Sequence, residues 1–498
     1  VSLEPDPAQL DQSDAPHSAV PDTQWHRFTK ATVLGDALKL VGFLGLAVFY
    51  GAKQILENDG IDELRDSVSG ISSFILIILA AVAAFVLIVT VFSAITWRFK
   101  RFALVPDGIH LQTGVFIKQH VHVRWDRVQS VDISQNLVAR VLNQGSVAVE
   151  SGAAGTDDVE LGLLTMKHCE ALRQVIMEAS AAARLGKDPE FGDWTKGSAV
   201  TAQEFPIYAL ETRRLVLTTL YSVSGIAGIF SLAGTLLVGL VLDGFAWIPF
   251  LFVVLGSAWS SIKKLAKTWG TKVFLASNGV RIRSGLVSTF AQTVAPGRVH
   301  AIEINQPRMW RRLGWWRLSV LTLATGEVND DADALVIPVG TREEVERMLW
   351  VILPDLGVDD AQAFLEEAFA GSGGSVAFTP APEQSKCLDP VGWRPNAIAL
   401  TRTVAVLRWS GFWRRSTKFV LHDHYQSLAL GQGPLERRLE LASLRFCMVN
   451  VAVIPIQSHL RLDDAVRLIG NESVAGKVRR AAADRESIEA WRLRVGVH

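Results

Sequence analysis

The chain has 498 residues, with 50 Lys+Arg against 50 Asp+Glu, a formal net charge of +0 and a 49% hydrophobic share. The charge balance speaks against a nucleic-acid binder held by bulk positive charge, and three scattered cysteines (Cys169, Cys387, Cys447) exclude a disulfide-dense scaffold and give no zinc pattern. A mean hydropathy of +0.24 requires the apolar residues to be concentrated in segments, and the length leaves room for several domains.

Residues 1–24, rich in Pro, Asp, Ser and Gln, read as a disordered tail. Residues 25–96 read as a first transmembrane hairpin, with apolar windows over 31–50 (interrupted by Asp36 and Lys39) and 71–95, each near the length of about 20 residues that a span needs. The second window ends in the basic run Arg98, Lys100, Arg101. A second hairpin is expected over 205–266, with windows at 215–242 and 245–262, followed by Lys263, Lys264 and Lys267. Basic residues flank the outer ends of both hairpins and the first tip is acidic. The positive-inside rule then predicts a multi-pass cell-membrane protein with both termini and all domains cytoplasmic. The same basic residues would attract anionic lipid.

Domains are expected at 97–185, 267–353 and 395–475. The stretch from Gly108 to Val149 aligns with Gly279 to Val320 without a gap, at an offset of 171 residues, and a third copy lies at an offset of 297. Gln135, Gln306 and Gln432 recur at one register, as do Arg140, Arg311 and Arg437, and the turn glycines Gly114, Gly285 and Gly411. A unit used three times points to multiplied binding surfaces before it points to a catalytic centre. Each unit reads as short strands of period two followed by one amphipathic helix. In the first, Cys169, Leu172, Ile176 and Ala179 fall at helical spacing; in the second, Thr341 and Glu344 form a capping box ahead of Val345, Met348, Leu349 and Ile352. Asp463 to Ile469 should close the third. Residues 354–394, with Gly371 to Ser375, read as a flexible linker that leaves the third unit mobile, and 476–498 as a helical C-terminal tail.

Paired spans, a basic strand start, a strand carrying Gln-Ser, the run Gln432-Gly433-Pro434-Leu435 with Arg437 and Arg438, and Gly411-Phe412-Trp413-Arg414-Arg415 resemble the bacterial pleckstrin-homology-like membrane proteins, second subfamily. That resemblance implies a bent seven-stranded barrel with a C-terminal helix in each unit, and no defined activity. The expected fold class is therefore membrane α + β: two transmembrane helical hairpins carrying PH-like β-barrel or sandwich domains, each closed by a C-terminal helix.

Candidate site residues follow from chemistry. Trp310, Trp315 and Trp316, interleaved with Arg311 and Arg312, form the densest aromatic-basic cluster, which suits a docking hot spot or a headgroup interface. Arg140, Arg311, Arg437 and Arg438 would bind an acidic partner or a lipid phosphate, or else cap a turn. His120 and His122 share a strand face, as do His422 and His424, with no cysteine or carboxylate cluster beside them, so no metal is expected. No phosphate loop, zinc-protease helix or nucleophile elbow is present, so neither a cofactor nor an enzyme activity is expected. The expected function is a non-catalytic, membrane-anchored scaffold that binds a protein partner or self-assembles. The alternatives are an anionic-lipid or envelope-stress sensor and an accessory component of a transport system. Membrane lipids are expected as partners and nucleic acid is not.

Overall fold

The computed structural model describes residues 25–30, 32, 68–115, 117–135, 137–151, 159–184, 186–189, 191, 204–241, 248–277, 279–286, 288–322, 333–448, 454–482 and 486–497. The expected disordered tail and the first apolar window at 31–50 lie outside them, Thr32 apart. The chain divides into two compact units, residues 1–200 and 201–498.

In the first unit, β1 (Trp25–Arg27), β2 (Arg101–Val105), β3 (Gly108–Thr113) and β4 (Gln119–Arg124) form an antiparallel sheet in that order. The helix α1 (Val68–Phe99) is inserted between β1 and β2. A second antiparallel set follows, β5 (Val128–Gln135), β6 (Gln144–Ser151) and β7 (Val159–Thr165), with a one-turn helix α2 (Leu137–Val141) between its first two strands. The helix α3 (Met166–Arg184) closes the unit, burying Cys169, Leu172, Val175, Ile176 and Ala179 against Trp125, Val131, Ile133 and Leu161.

The second unit repeats this plan. Strand β8 (Phe205–Ala209) precedes α4 (Thr212–Leu220), α5 (Val223–Val241) and α6 (Ile248–Thr268), and pairs with β9 (Lys272–Ala276), which continues into β10 (Gly279–Ser284) and β11 (Thr289–Val294). Then come β12 (Val299–Pro307), β13 (Trp316–Thr322), β14 (Asp333–Gly340) and α7 (Arg342–Ile352). The Thr341/Glu344 capping box is formed, with both reciprocal bonds present, and Val345, Met348, Leu349 and Ile352 are buried. The third segment supplies β15 (Thr379–Pro380), β16 (Ala397–Leu400), β17 (Val404–Ser410) and β18 (Arg414–Leu421), then β19 (Ser427–Gly431), the one-turn α9 (Pro434–Arg438), β20 (Leu441–Cys447), β21 (Ile456–Arg461) and the helix α10 (Leu462–Ala482). Each segment thus has four strands, three strands and a closing helix.

The expected transmembrane hairpins are not what the structure shows. It is built mostly of antiparallel sheets with helices, and among the described residues no single helix is long and apolar enough to cross a membrane. Ala83–Phe99, the C-terminal part of α1, is apolar but short, and Thr212–Leu220 with Gly225–Thr235 passes only as a pair bent by 55°. The physical reason is visible at the break. Ser222 accepts the Gly225 N–H at 3.1 Å through its hydroxyl and the Ile226 N–H at 2.9 Å through its carbonyl, so it starts a new helix. Ahead of it, Leu215 and Thr218 are buried within the domain and Arg214 pairs with Glu344 at 3.1 Å. The start of that apolar window is therefore held by the domain, with Leu215 part of its core.

Two further expectations are corrected. Residues 354–394 are not a bare linker: they hold α8 (Ala361–Ala370), N-capped by Asp360, whose Phe364, Leu365, Ala368 and Phe369 enter the core. Nor is the third segment a separate barrel. Strand β12 pairs with β18, giving one seven-stranded sheet in the order β14-β13-β12-β18-β17-β16-β15. The C-terminal α11 (Ile488–Val495) returns to the second segment, where Trp491 is fully buried and donates to the Val351 carbonyl at 2.9 Å.

The recurring residues have local work. The Gln side-chain amide donates to the backbone carbonyl nine residues ahead in all three segments: Gln135 to Gln144 at 2.6 Å, Gln306 to Trp315 at 2.9 Å and Gln432 to Leu441 at 2.7 Å. It ties the end of one strand to the start of the next across the helical turn. Gly114 and Gly285 adopt φ of 100° and 115°, where a Cβ would strike the carbonyl oxygens of Ile117 and Ser288. We expect Gln432→Ala to cost about 1 kcal/mol in chemical denaturation. No change in midpoint would deny the Gln a structural role.

A candidate anionic-surface site at the second and third segments

The β12–β18 pairing ends at Pro307↔Arg414. It therefore brings the 3-10 turn Arg308–Leu313, which leaves β12, beside the Gly411-Phe412-Trp413 tip that joins β17 to β18. The Arg308 N–H donates to the Trp413 carbonyl at 2.7 Å, and the Arg308 guanidinium lies 4.3 Å from the Phe412 ring centre. Arg311 donates to the Ser410 hydroxyl at 3.3 Å. Phe412 and Trp413 meet edge to face at 5.0 Å and stand out from the surface, Trp413 at 60% exposure. Met309 and Leu313 are exposed in the same turn.

Arg308, Arg311, Arg312 and Arg414 are exposed, and among the described residues none of them forms an ion pair with a carboxylate. Partial burial and the nearby Arg308 charge hold Arg311 below the usual guanidinium range. Burial, together with Arg311 and Arg342, pushes Arg415 down to about 10. Cations crowded without counter-charges gain most from an incoming anion, and Arg presents a fork that fits phosphate and carboxylate oxygens.

The tryptophans expected to carry the site do not. Trp310 and Trp316 are core residues, 2% and 5% exposed, and Trp315 is half-buried against the same core. Arg317 and Arg415 cover their rings, at 5.2 Å from Trp310 and 4.5 Å from Trp316. The exposed aromatics are Phe412 and Trp413, from a hairpin more than ninety residues on. The available signal was their place directly after a turn glycine, outside the strand alternation.

The other candidates are dispersed. Arg140, Arg437 and Arg438 are exposed, Arg140 on α2 and the other two on α9, the one-turn helices of their own segments. Arg98, Lys263, Lys264 and Lys267 are exposed near the ends of α1 and α6, with Lys263 stacked over Trp259 at 5.3 Å. Lys100 is half-buried. Arg101 is taken by the sheet, donating to Gln112 at 2.7 Å and covering Trp25.

The histidine reading also changes. His122 is joined by His110 and Asp107, whose ligand atoms lie within 4.8 Å of one another, a set whose types suit a divalent ion. His110 contacts His120 at 2.9 Å and Asp107 at 3.2 Å, and the His122 Nε2 lies 3.7 Å from Asp107. Burial holds the His110 pKa below 6.5, against the opposing pull of Asp107, with His120 and His122 adding to the lowering. A histidine with a depressed folded pKa stabilises the fold fully above its unfolded value and loses that contribution as pH falls below it. The thermal midpoint of the first unit should drop between pH 7 and pH 5, and less so in His110→Gln. Equal pH slopes in the two proteins would contradict this. The fully buried His422 holds Glu472 at 2.6 Å and is structural.

Residues 44–180 and 225–365, more than half of the chain, match the family model described as "Bacterial PH domain". The chain belongs to the bacterial PH domain family. Its matched regions cover most of the first two segments, without their leading strands β1 and β8, and strands β15 to β21 of the third lie beyond them. The UPF0699 transmembrane protein YdbT of Bacillus subtilis (strain 168) is 19% identical over 294 residues, 54% of this chain. The chain spans 59% of that relative's length. No solved structure matches.

Proposed function

We propose that this bacterial PH domain protein is a non-catalytic, membrane-associated module that engages anionic headgroups through the Arg308–Leu313 turn and the Phe412–Trp413 tip. The carrying observation is the exposed Trp413 and Phe412 set among four arginines that lack acidic partners among the described residues. Interfacial aromatics with basic neighbours suit a bilayer surface. Two features support attachment. Ile229, Phe230, Leu232 and Leu237 of α5 are each more than half exposed, an apolar face that needs cover, and the Bacillus relative is named a transmembrane protein. No crossing topology is part of this reading. The third segment serves in it as a further PH-like copy.

The test is to reconstitute the full chain with zwitterionic vesicles and with vesicles containing phosphatidylglycerol, at low and high salt. Tighter binding to the anionic vesicles, weakened by salt, is expected; equal binding to both would defeat the proposal. A scaffold for an acidic protein partner is the second reading, favoured by the same exposed Trp413, since Trp and Arg concentrate in docking hot spots. It predicts partner recovery that depends on Trp413 while lipid preference does not.

A further inference from the structure

The β12–β18 joint of the second unit shows how one segment continues into the next. It runs antiparallel from Ala301↔Val420 to Pro307↔Arg414. The repeat offsets locate the equivalents of both strands. Residues 301–305 of β12 correspond to Ser427–Gly431, the whole of β19, and residues 416–421 of β18 correspond to Gln119–Arg124, the whole of β4. Both equivalents end their sheets: among the described residues β4 is the last strand of β1-β2-β3-β4, and β19 the first of β19-β20-β21.

Burial follows the pairing. Residues 301–305 are all buried in β12, Ile304 completely, whereas none of Ser427–Gly431 is buried and Leu430, the equivalent of Ile304, is 37% exposed. Thr417 is buried in β18, whereas His120 at the same register is exposed. Side-chain chemistry changes in step. In the joint, Glu303 faces Lys418 across the strands and pairs with it at 3.7 Å. The equivalents are Ala429 and Val121, an apolar pair in place of an ion pair. Strand β19 reads Ser-Leu-Ala-Leu-Gly, with no charge or proline to blunt an open edge.

We infer that the β19 edge of one molecule takes the β4 edge of a second copy of this chain, antiparallel and in the register of the internal joint. Leu428 then faces His122, Ala429 faces Val121 and Leu430 faces His120. The contact is heterologous, so it builds head-to-tail chains or closed rings. It is independent of the anionic-surface reading.

The test uses the full chain in a Cys387→Ser, Cys447→Ser background, with Leu430→Cys in one preparation and His120→Cys in another. Mixing under mild oxidation should give a disulfide-linked dimer far in excess of that from either preparation alone, because each preparation carries a cysteine on only one of the two edges. The unsubstituted chain should gain mass with concentration in sedimentation, and Leu430→Lys, at an unaltered thermal midpoint, should remove that gain. No mixed dimer, or the same yield from a single preparation, would overturn the inference. So would a chain that stays monomeric at every concentration.

Discussion

Replacing Arg308, Arg311 and Arg312 together with glutamine should abolish most of the preference for anionic vesicles. Each basic residue near an anionic surface contributes about 1 kcal/mol, so the triple variant should lose about 3 kcal/mol, on the order of 100-fold in affinity. The three side chains are exposed and, among the described residues, have no acidic partner, so their replacement leaves the core untouched. Trp413→Ala should act differently: it weakens binding at every salt concentration, because an interfacial ring works by apolar and dipolar contact that salt does not screen. Wild-type binding in the triple variant would remove the site from consideration, and a Trp413 effect that vanished in high salt would reassign that ring to positioning Arg308.

Trp316→Ala should cost about 3–5 kcal/mol of stability, the range for removing a large aromatic from a packed core. Trp316 is 5% exposed, packs near Phe369 at 5.2 Å and carries the Arg415 guanidinium on its ring, so the loss includes a stacked cation that Gln306 also holds at 2.8 Å. Leu313→Ala, three residues away and exposed, is the control and should change stability by less than about 0.5 kcal/mol. Equal denaturation midpoints for Trp316→Ala and the unsubstituted protein would contradict the core placement. A double Trp315/Trp316 alanine protein that lost a binding partner would therefore report on folding, not on a docking surface.

What the sequence disclosed was what local pattern encodes. The faces of α3 and α7, the Thr341 capping box and the recurring Gln were legible because helical period, caps and repeats are written within a few residues. Trp316 was misread, although it alternates with the buried Leu318 and Val320 along β13. The count of aromatics and arginines outweighed the period. The leading strands β1, β8 and β15 were missed because they are short and their partners lie tens of residues away, beyond inserted helices or a loop. The apolar window over 215–242 misled for a related reason. Hydropathy sums over residues whatever they pack against, so Leu215 counted toward a span although it lies in the domain core. The patch of Arg308 and Trp413 was invisible because it exists only through the strand pairing of two segments.

The pairing of β8 with β9 sets how the second unit would respond to a pull. Ala209 lies opposite Lys272, and the Leu210 N–H donates to the Thr271 carbonyl at 2.8 Å. The whole helical excursion of α4, α5 and α6 thus leaves and re-enters the sheet at one point, like a loop of cord tied at a single knot. Tension on those helices falls on the end of a two-strand ladder and opens its hydrogen bonds one after another, as a zipper does, rather than shearing them all at once. Tilting or drawing on the helices would then loosen β8 first, and with it Tyr208, whose hydroxyl donates to the Val339 carbonyl on β14. The joint is mechanically compliant by its topology.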